Sequence, residues 1–352
     1  MHISYLRNYT LLVQQSQASR GKNPQLVLEV LKKDSESRLL QSELQRLQKS
    51  YKDINKLIAT KKKTTRGKDP CTEEVQSLTD LNQEIQDLKH KVESMKVSIN
   101  LLLETLGNFV SKDVQETDLT CREFTSELTL QKPEGTHFRR GRSVSGTKTP
   151  FLSGEAYLKL QNLTSYFLSC FADFETVQVP AFIHKKHRIQ TDFKVGTANT
   201  SYKFSLVKSP YKSLALMLSR ENMQDLPKKY LGYCHCFHKN SQQLKLDVLL
   251  VCSPEQSSGL TQNLVETMEQ VTQNLKVPYK LVLVGSRRLK LQESKRYELL
   301  SELKLCSCSN LTDYFSRKLE IASGFKKNRF YPHIVKGSFR IYSYLNCPVA
   351  FY

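Results

Sequence analysis

The sequence predicts an α+β chain: an antiparallel helical hairpin, wound as a coiled coil, precedes a mixed α/β or α+β domain of about 200 residues. Three observations predict it. Two apolar seams with heptad spacing run through residues 40–58 and 81–106. A basic turn containing Gly67 and Pro70 separates them. From Phe151 onward, strands rich in Val, Leu and Tyr alternate with helical periods. At 352 residues the chain is long for one domain and suits two or three.

The first 28 residues hold Arg7, Arg20 and Lys22 but no acid before Glu29. That composition fits the acid-poor region at or just after a mitochondrial import signal. It fits equally an ordinary packing helix over Tyr5 to Val13. The seam then begins: Leu40, Leu44, Leu47, Tyr51, Ile54 and Ile58 alternate spacings of 4 and 3. Leu81, Ile85, Leu88, Val92, Met95, Ile99, Leu102 and Leu106 repeat that alternation without a fault. This is the period by which two helices wind around each other. Neither run contains Pro or Gly, so each arm reads as one helix of roughly 40 to 50 Å, expected to project from the body. Between the seams lie Lys61, Lys62, Lys63, Arg66 and Lys68 against a single acid, Asp69. Such a run at the tip of an arm suits phosphate contact.

Residues 1–116 are therefore assigned to an N-terminal helix and the arm, 117–150 to a linker and 151–352 to the globular domain. The linker is polar, with a basic cluster of His137, Arg139, Arg140 and Arg142. The domain opens on a helix over 154–171 and a strand over 175–179 stopped by Pro180. Further on come an apolar strand over 246–252, a helix over 259–275 and a strand over 279–284.

Composition narrows the function. Fifty-three Lys and Arg against 34 Asp and Glu leave a formal charge of +19, which favours a polyanionic partner, nucleic acid before membrane. No run approaches the roughly 18 apolar residues of a membrane-spanning helix. Nine cysteines, scattered and odd in number, read as free thiols rather than a disulfide scaffold. Cys234 and Cys236, with His235 and His238 nearby, raise a zinc reading. Their spacing is shorter than the usual Cys-x2–4-Cys, so no metal is expected.

A basic-tipped hairpin followed by such a domain resembles the seryl-tRNA synthetase family, and local sequence supports the resemblance across nearly the whole chain. Residues 154–180 (GEAYLKLQNLTSYFLSCFADFETVQVP) resemble the first class II motif, which implies a dimer interface at Pro180. Residues 226–237 (LPKKYLGYCHCF) resemble the segment entering the second motif, and 307–319 (SCSNLTDYFSRKL) resemble the family stretch SCSNxTDFQARRL. The resemblance implies a class II aminoacyl-tRNA synthetase-like antiparallel sheet for the globular domain. It also implies an arm that reaches the long variable arm of tRNA.

The family's chemistry requires charges that this sequence lacks. Activation of an amino acid places negative charge on an ATP phosphate, which an arginine and Mg²⁺ must offset. Where the second motif reads CFRxE, residues 236–240 read CFHKN. His238 thus replaces the phosphate-binding arginine and Asn240 a glutamate. The metal-binding glutamate aligns with Lys304, and an ammonium there repels a cation. The TAE element, whose acid helps bind serine, aligns with Ser209, Pro210 and Tyr211. The glycines of the family's LNGSG are missing after Leu345 and Asn346. The reading is a catalytically degenerate paralogue with no catalytic residue, cofactor or metal. It is expected in the mitochondrial matrix as an interaction subunit for translation. The implied partners are the active mitochondrial seryl-tRNA synthetase, as a heterodimer, or a second copy of the chain, together with serine tRNA or other mitochondrial RNA. The alternatives are an active serine–tRNA ligase with unusual site chemistry, or a scaffold for another protein.

Overall fold

The computed structural model describes residues 1–64, 70–127, 130–146, 149–184, 193–195, 204–238 and 241–348. The chain forms two compact units, Met1–Gly107 and Asn108–Tyr352.

The first unit is helical: α1 (Ile3–Asn8), α2 (Thr10–Ser19), α3 (Gln25–Thr64) and α4 (Thr72–Thr105). No predicted seam residue is exposed; Leu47, Ile58, Ile85, Leu88, Val92 and Ile99 are buried and the others half-buried or buried. Helix α3 starts earlier than its seam predicts. Asn23 Oδ1 accepts the Gln25 N–H at 2.9 Å, and Val27 and Val30 carry the buried face back toward α1 and α2. Leu6 and Val13 are fully buried, so the acid-poor opening stretch packs as part of this unit. Arg7 grips both oxygens of Asp34 at 2.8 and 2.7 Å. Gln17 exchanges two hydrogen bonds with Gly107, donating to its carbonyl at 3.1 Å and accepting its N–H at 3.0 Å. A Cβ at Gly107 would meet the Arg20 guanidinium at 2.7 Å, so a larger residue there would have to push that buried side chain aside.

The second unit runs β1 (Leu119–Phe124), β2 (Thr136–His137), α5 (Phe138–Ser145), β3 (Phe151–Leu152), α6 (Gly154–Ser169), β4 (Glu175–Gln178), β5 (Phe182–His184), β6 (Phe193–Val195), β7 (Phe204–Leu206) and α7 (Tyr211–Met217). It continues through β8 (Asn222–Met223), β9 (Lys228–His238), β10 (Ser241–Cys252), α8 (Ser257–Asn274), β11 (Tyr279–Leu283), β12 (Lys295–Leu300), β13 (Lys304–Asn310), α9 (Tyr314–Lys318), β14 (Ala322–Ser323) and β15 (His333–Arg340). Eight strands form one sheet in the order β1-β11-β12-β13-β15-β10-β9-β4. All neighbours pair antiparallel except β4 and β9. This is the antiparallel-sheet domain that the family resemblance implies.

Alternation along the strands divides the sheet's two faces. Leu246, Val248 and Leu250 of β10 share the main core with Phe339 of β15, Leu163 and Phe167 of α6, and Val265 and Met268 of α8. Gly337 lets α8 lie close, since a Cβ there would fall 2.5 Å from the Met268 methyl. On the opposite face, Leu249, Val251 and Ile334 pack with Leu214 of α7 and Phe315 of α9. The rest of that face is polar.

One expectation is corrected. Residues 117–150 are no plain linker: β1 is an edge strand paired with β11, from Leu119 opposite Leu283 to Phe124 opposite Tyr279. Five of its six residues are exposed, so the strand lacks the apolar alternation by which a sequence reveals one.

Candidate functional site

The register of the central strands lines up the polar face in rungs, because opposed residues in an antiparallel ladder share a face. One rung runs Cys234, Lys245 and Arg340. The next runs Gly232, Asp247, Ser338, Ser307 and Glu298. A third runs Leu249, Lys336, Ser309 and Arg296. An irregularity between Leu299 and Leu300 sets Lys304 opposite Leu300 and within reach of Glu298.

Several of these side chains form ion pairs inside the protein. Glu293 is fully buried and accepts from Arg296 Nη1 at 2.8 Å, from the Lys290 N–H at 2.9 Å and from Ser309 Oγ at 3.1 Å. Lys336 Nζ lies 3.7 Å from its other side. Burial pushes the Glu293 carboxyl up, but Lys336, Arg296 and Lys290 outweigh it and hold the group down at about 2. Burial drives Lys336 down to about 7, with Lys290 adding to the effect. Lys304 donates to Glu298, and Arg296 Nε lies 3.0 Å from the same oxygen. Burial brings Lys304 down to about 8 despite that partner. Burial similarly lowers Lys245 to about 8.

Tyr211 closes this face from above. Its ring is buried with Lys336 Nζ 4.2 Å from the centroid, and its hydroxyl accepts from Gln292 Nε2 at 3.2 Å. The Tyr211 N–H and Ser209 Oγ both donate to Asp247 Oδ2. Asp247 Oδ1 is buried and without a hydrogen-bond partner. Among the described residues, no three His, Cys, Asp or Glu side chains gather as a metal site requires. Glu293 and Glu298 already face cations, so binding a metal ion would first have to displace them.

The structure brings Lys304 and Tyr211 to the same polar face. His238 ends β9 opposite Ser241, and its side chain lies outside the described residues, as does Asn240. Pro180 is exposed just beyond the edge strand β4. Around it in sequence, large apolar groups stand in solvent: Phe151, Tyr157, Leu158, Phe182 and Phe204, with Leu158 61% exposed. In the arm, Lys62 and Lys63 are exposed on the last turn of α3, whereas Lys61 pairs with Glu74 across the hairpin. Arg66 and Lys68 lie outside the described residues. Farther along the arm, Lys52, Lys56 and Lys89 line a groove with Gln48, Tyr51, Asn55 and Asn82.

Sequence reasoning missed Glu293, Arg296, Glu298, Lys336 and the arm groove. A signal existed for part of the network: Lys245 and Asp247 interrupt the apolar β10, and Lys336 interrupts β15. Charges inside a buried strand need partners.

Residues 1–110 match the family described as the seryl-tRNA synthetase N-terminal domain. The cytoplasmic serine–tRNA ligase of Dictyostelium discoideum is 28% identical over 367 residues, spanning 90% of this chain and 80% of that protein. Two solved structures share the fold: the seryl-tRNA synthetase of Pyrococcus horikoshii complexed with ATP (TM-score 0.83, 20% identity, 99% of this chain and 93% of that one) and the cytoplasmic serine–tRNA ligase of Naegleria fowleri in complex with AMP (TM-score 0.79, 18% identity, 99% and 93%). No helix among the described residues is long and apolar enough to cross a membrane.

Proposed function

We propose that the chain is a non-catalytic member of the seryl-tRNA synthetase family, acting as an interaction subunit. It pairs with the active mitochondrial seryl-tRNA synthetase, binds serine tRNA or other mitochondrial RNA through its basic arm, and supports translation in the mitochondrial matrix. One observation carries the loss of activity: Lys304 occupies the place where the resemblance calls for a metal-binding carboxylate, and it is tied to Glu298. A cation there opposes Mg²⁺, and Tyr211 stands where an acid would meet serine. If two such groups are each worth about 10²–10³ in rate, their joint loss leaves no useful ligase.

The exposed Phe151, Tyr157 and Leu158, in and beside the segment resembling the family's dimer motif, support a subunit partner. Exposed Lys62 and Lys63, with the groove lysines Lys52, Lys56 and Lys89, support RNA contact by phosphate. The matrix address rests on the resemblance, since the opening residues have a packing role of their own.

The experiment is serine-dependent ATP–pyrophosphate exchange on the purified chain, alone and with added active synthetase. No turnover alone, together with co-purification of the partner from mitochondria, is the expected outcome. Turnover at even a small fraction of a true synthetase's rate would replace this reading with an active ligase. That second reading is favoured by similarity to a serine–tRNA ligase over 90% of the chain.

A further inference from the structure

Two Cys-x-Cys pairs share the same spacing but not the same surroundings. Cys306 and Cys308 lie on β13 in the main core under α8; both are buried, and Cys308 Sγ donates to the Thr261 carbonyl at 3.7 Å. Cys234 and Cys236 lie on β9 on the polar face, with their Sγ atoms 3.7 Å apart. Cys236 is fully buried and also donates to the Cys234 carbonyl at 3.7 Å, while Cys234 is partly exposed. The hydrogen bond with Cys234 and burial push the Cys236 thiol up, which leaves the more open Cys234 as the group that reacts first. A thiol open to solvent can meet a dissolved oxidant, whereas a closed apolar setting suppresses the reaction.

We propose that Cys234 and Cys236 form a reversible dithiol–disulfide site that reacts with small-molecule disulfides of the glutathione type. The Cys234 thiolate attacks one sulfur of the oxidant, forming a mixed disulfide and releasing one thiolate. Cys236 then loses its proton and attacks the Cys234 sulfur, closing the intramolecular bond and releasing the second thiolate. The protein pair is oxidised by two electrons, the oxidant is reduced to two thiols, and the two cysteine protons end on those thiols.

Exposure fixes the order of attack, since of the two Cys234 is half-buried and Cys236 fully buried. Lability follows from strand geometry. Residues two apart on a strand have Cα atoms about 6.6–6.8 Å apart, at the long end of the range that a disulfide spans. Closing the bond must pucker β9, so the oxidised form is strained and easily reduced. The strain falls between the rungs that hold Lys245 and Gln243, at the edge of the charged network. The site is thus a redox sensor rather than a structural staple.

The test uses the pre-reduced full-length chain. Alkylation of the folded protein should label Cys234 at least about tenfold faster than Cys236, Cys306 or Cys308. Incubation with glutathione disulfide, followed by non-reducing peptide mapping, should give an internal bond within 228–241 that excess reduced glutathione reopens. Cys236→Ser should halt the reaction at the glutathione adduct on Cys234, and Cys234→Ser should abolish it. Three results would overturn the proposal: a lasting adduct on Cys234 in the parent chain, equal oxidation of Cys306 and Cys308 in the folded protein, or no oxidation of Cys234. Because these readouts come from the parent chain, a variant that fails to fold does not remove the test.

Discussion

Replacing Glu293 by Gln tests whether the polar face is held together by its own charges. Glu293 is fully buried and its carboxyl sits at about 2 rather than the ordinary 4.5. At about 1.4 kcal/mol for each pH unit, the ionised form stabilises the folded protein by roughly 3 kcal/mol at neutral pH. Loss of one partner from a buried ion pair costs a similar amount, about 3–5 kcal/mol. For a unit of this size that corresponds to a fall of roughly 6–20 °C in Tm. The sign with pH follows from the depressed value. The contribution is complete above the unfolded value near 4.5 and disappears as pH falls through 2. The gap between parent and Glu293→Gln should therefore narrow by about half at pH 3. The chain has no Trp, and only Tyr5, Tyr9 and Tyr51 lie in the first unit, so urea unfolding followed by tyrosine fluorescence reports chiefly on residues 108–352. Adding Lys336→Met to Glu293→Gln should recover part of the loss, because it removes the cation left stranded. A single-variant loss below about 0.5 kcal/mol, or a gap that does not change with pH, would refute the reasoning.

Three further outcomes are expected. Neutralising Lys61, Lys62, Lys63, Arg66 and Lys68 together should weaken RNA binding at moderate salt and lower the salt slope by roughly three to four units, since Lys61 already pairs with Glu74. Unchanged affinity for serine tRNA across a salt titration would assign the arm a purely structural role. Leu158→Arg should shift any dimer toward monomer in sedimentation velocity while leaving the fold intact, because that side chain is 61% exposed in the isolated chain. A sedimentation profile identical to the parent's would place the interface elsewhere. Gln17→Ala strands both the N–H and the carbonyl of Gly107 and should cost the helical unit about 1–3 kcal/mol by thermal circular dichroism. A change within about 0.5 kcal/mol would mean that these groups find other partners.

The arm was legible because its physics is local. A 4,3 alternation of Leu and Ile states a helix, its buried stripe and its antiparallel mate within sixty-odd residues, and each seam position is covered as expected. The strand β10 was legible in part: its apolar half from Leu246 was read, but not the polar half that carries Lys245. The edge strand β1 escaped because it buries almost nothing, so its pattern matches that of a loop. At the candidate site, Lys304 stood out only through the resemblance. Its partner Glu298 depends on an irregular pairing of β12 with β13, and Glu293, in the turn before β12, meets Lys336 of β15 far along the sequence. Periodicity reports which face a residue occupies, and register alone decides whom it meets.

The position of β1 at the sheet's edge bears on how the chain comes to be folded as it is made. Leu119 is synthesised soon after the arm, but its partner Leu283 emerges only after the whole of residues 120–282. The hairpin, whose contacts are short-range, closes early and quickly. The sheet has to wait for β11 and then for β15, leaving β1 and β10 with open edges during translation. The order of birth thus separates a fast, self-sufficient arm from a late-closing body. Chaperone engagement on the ribosome should concentrate on nascent chains longer than the arm and shorter than β15.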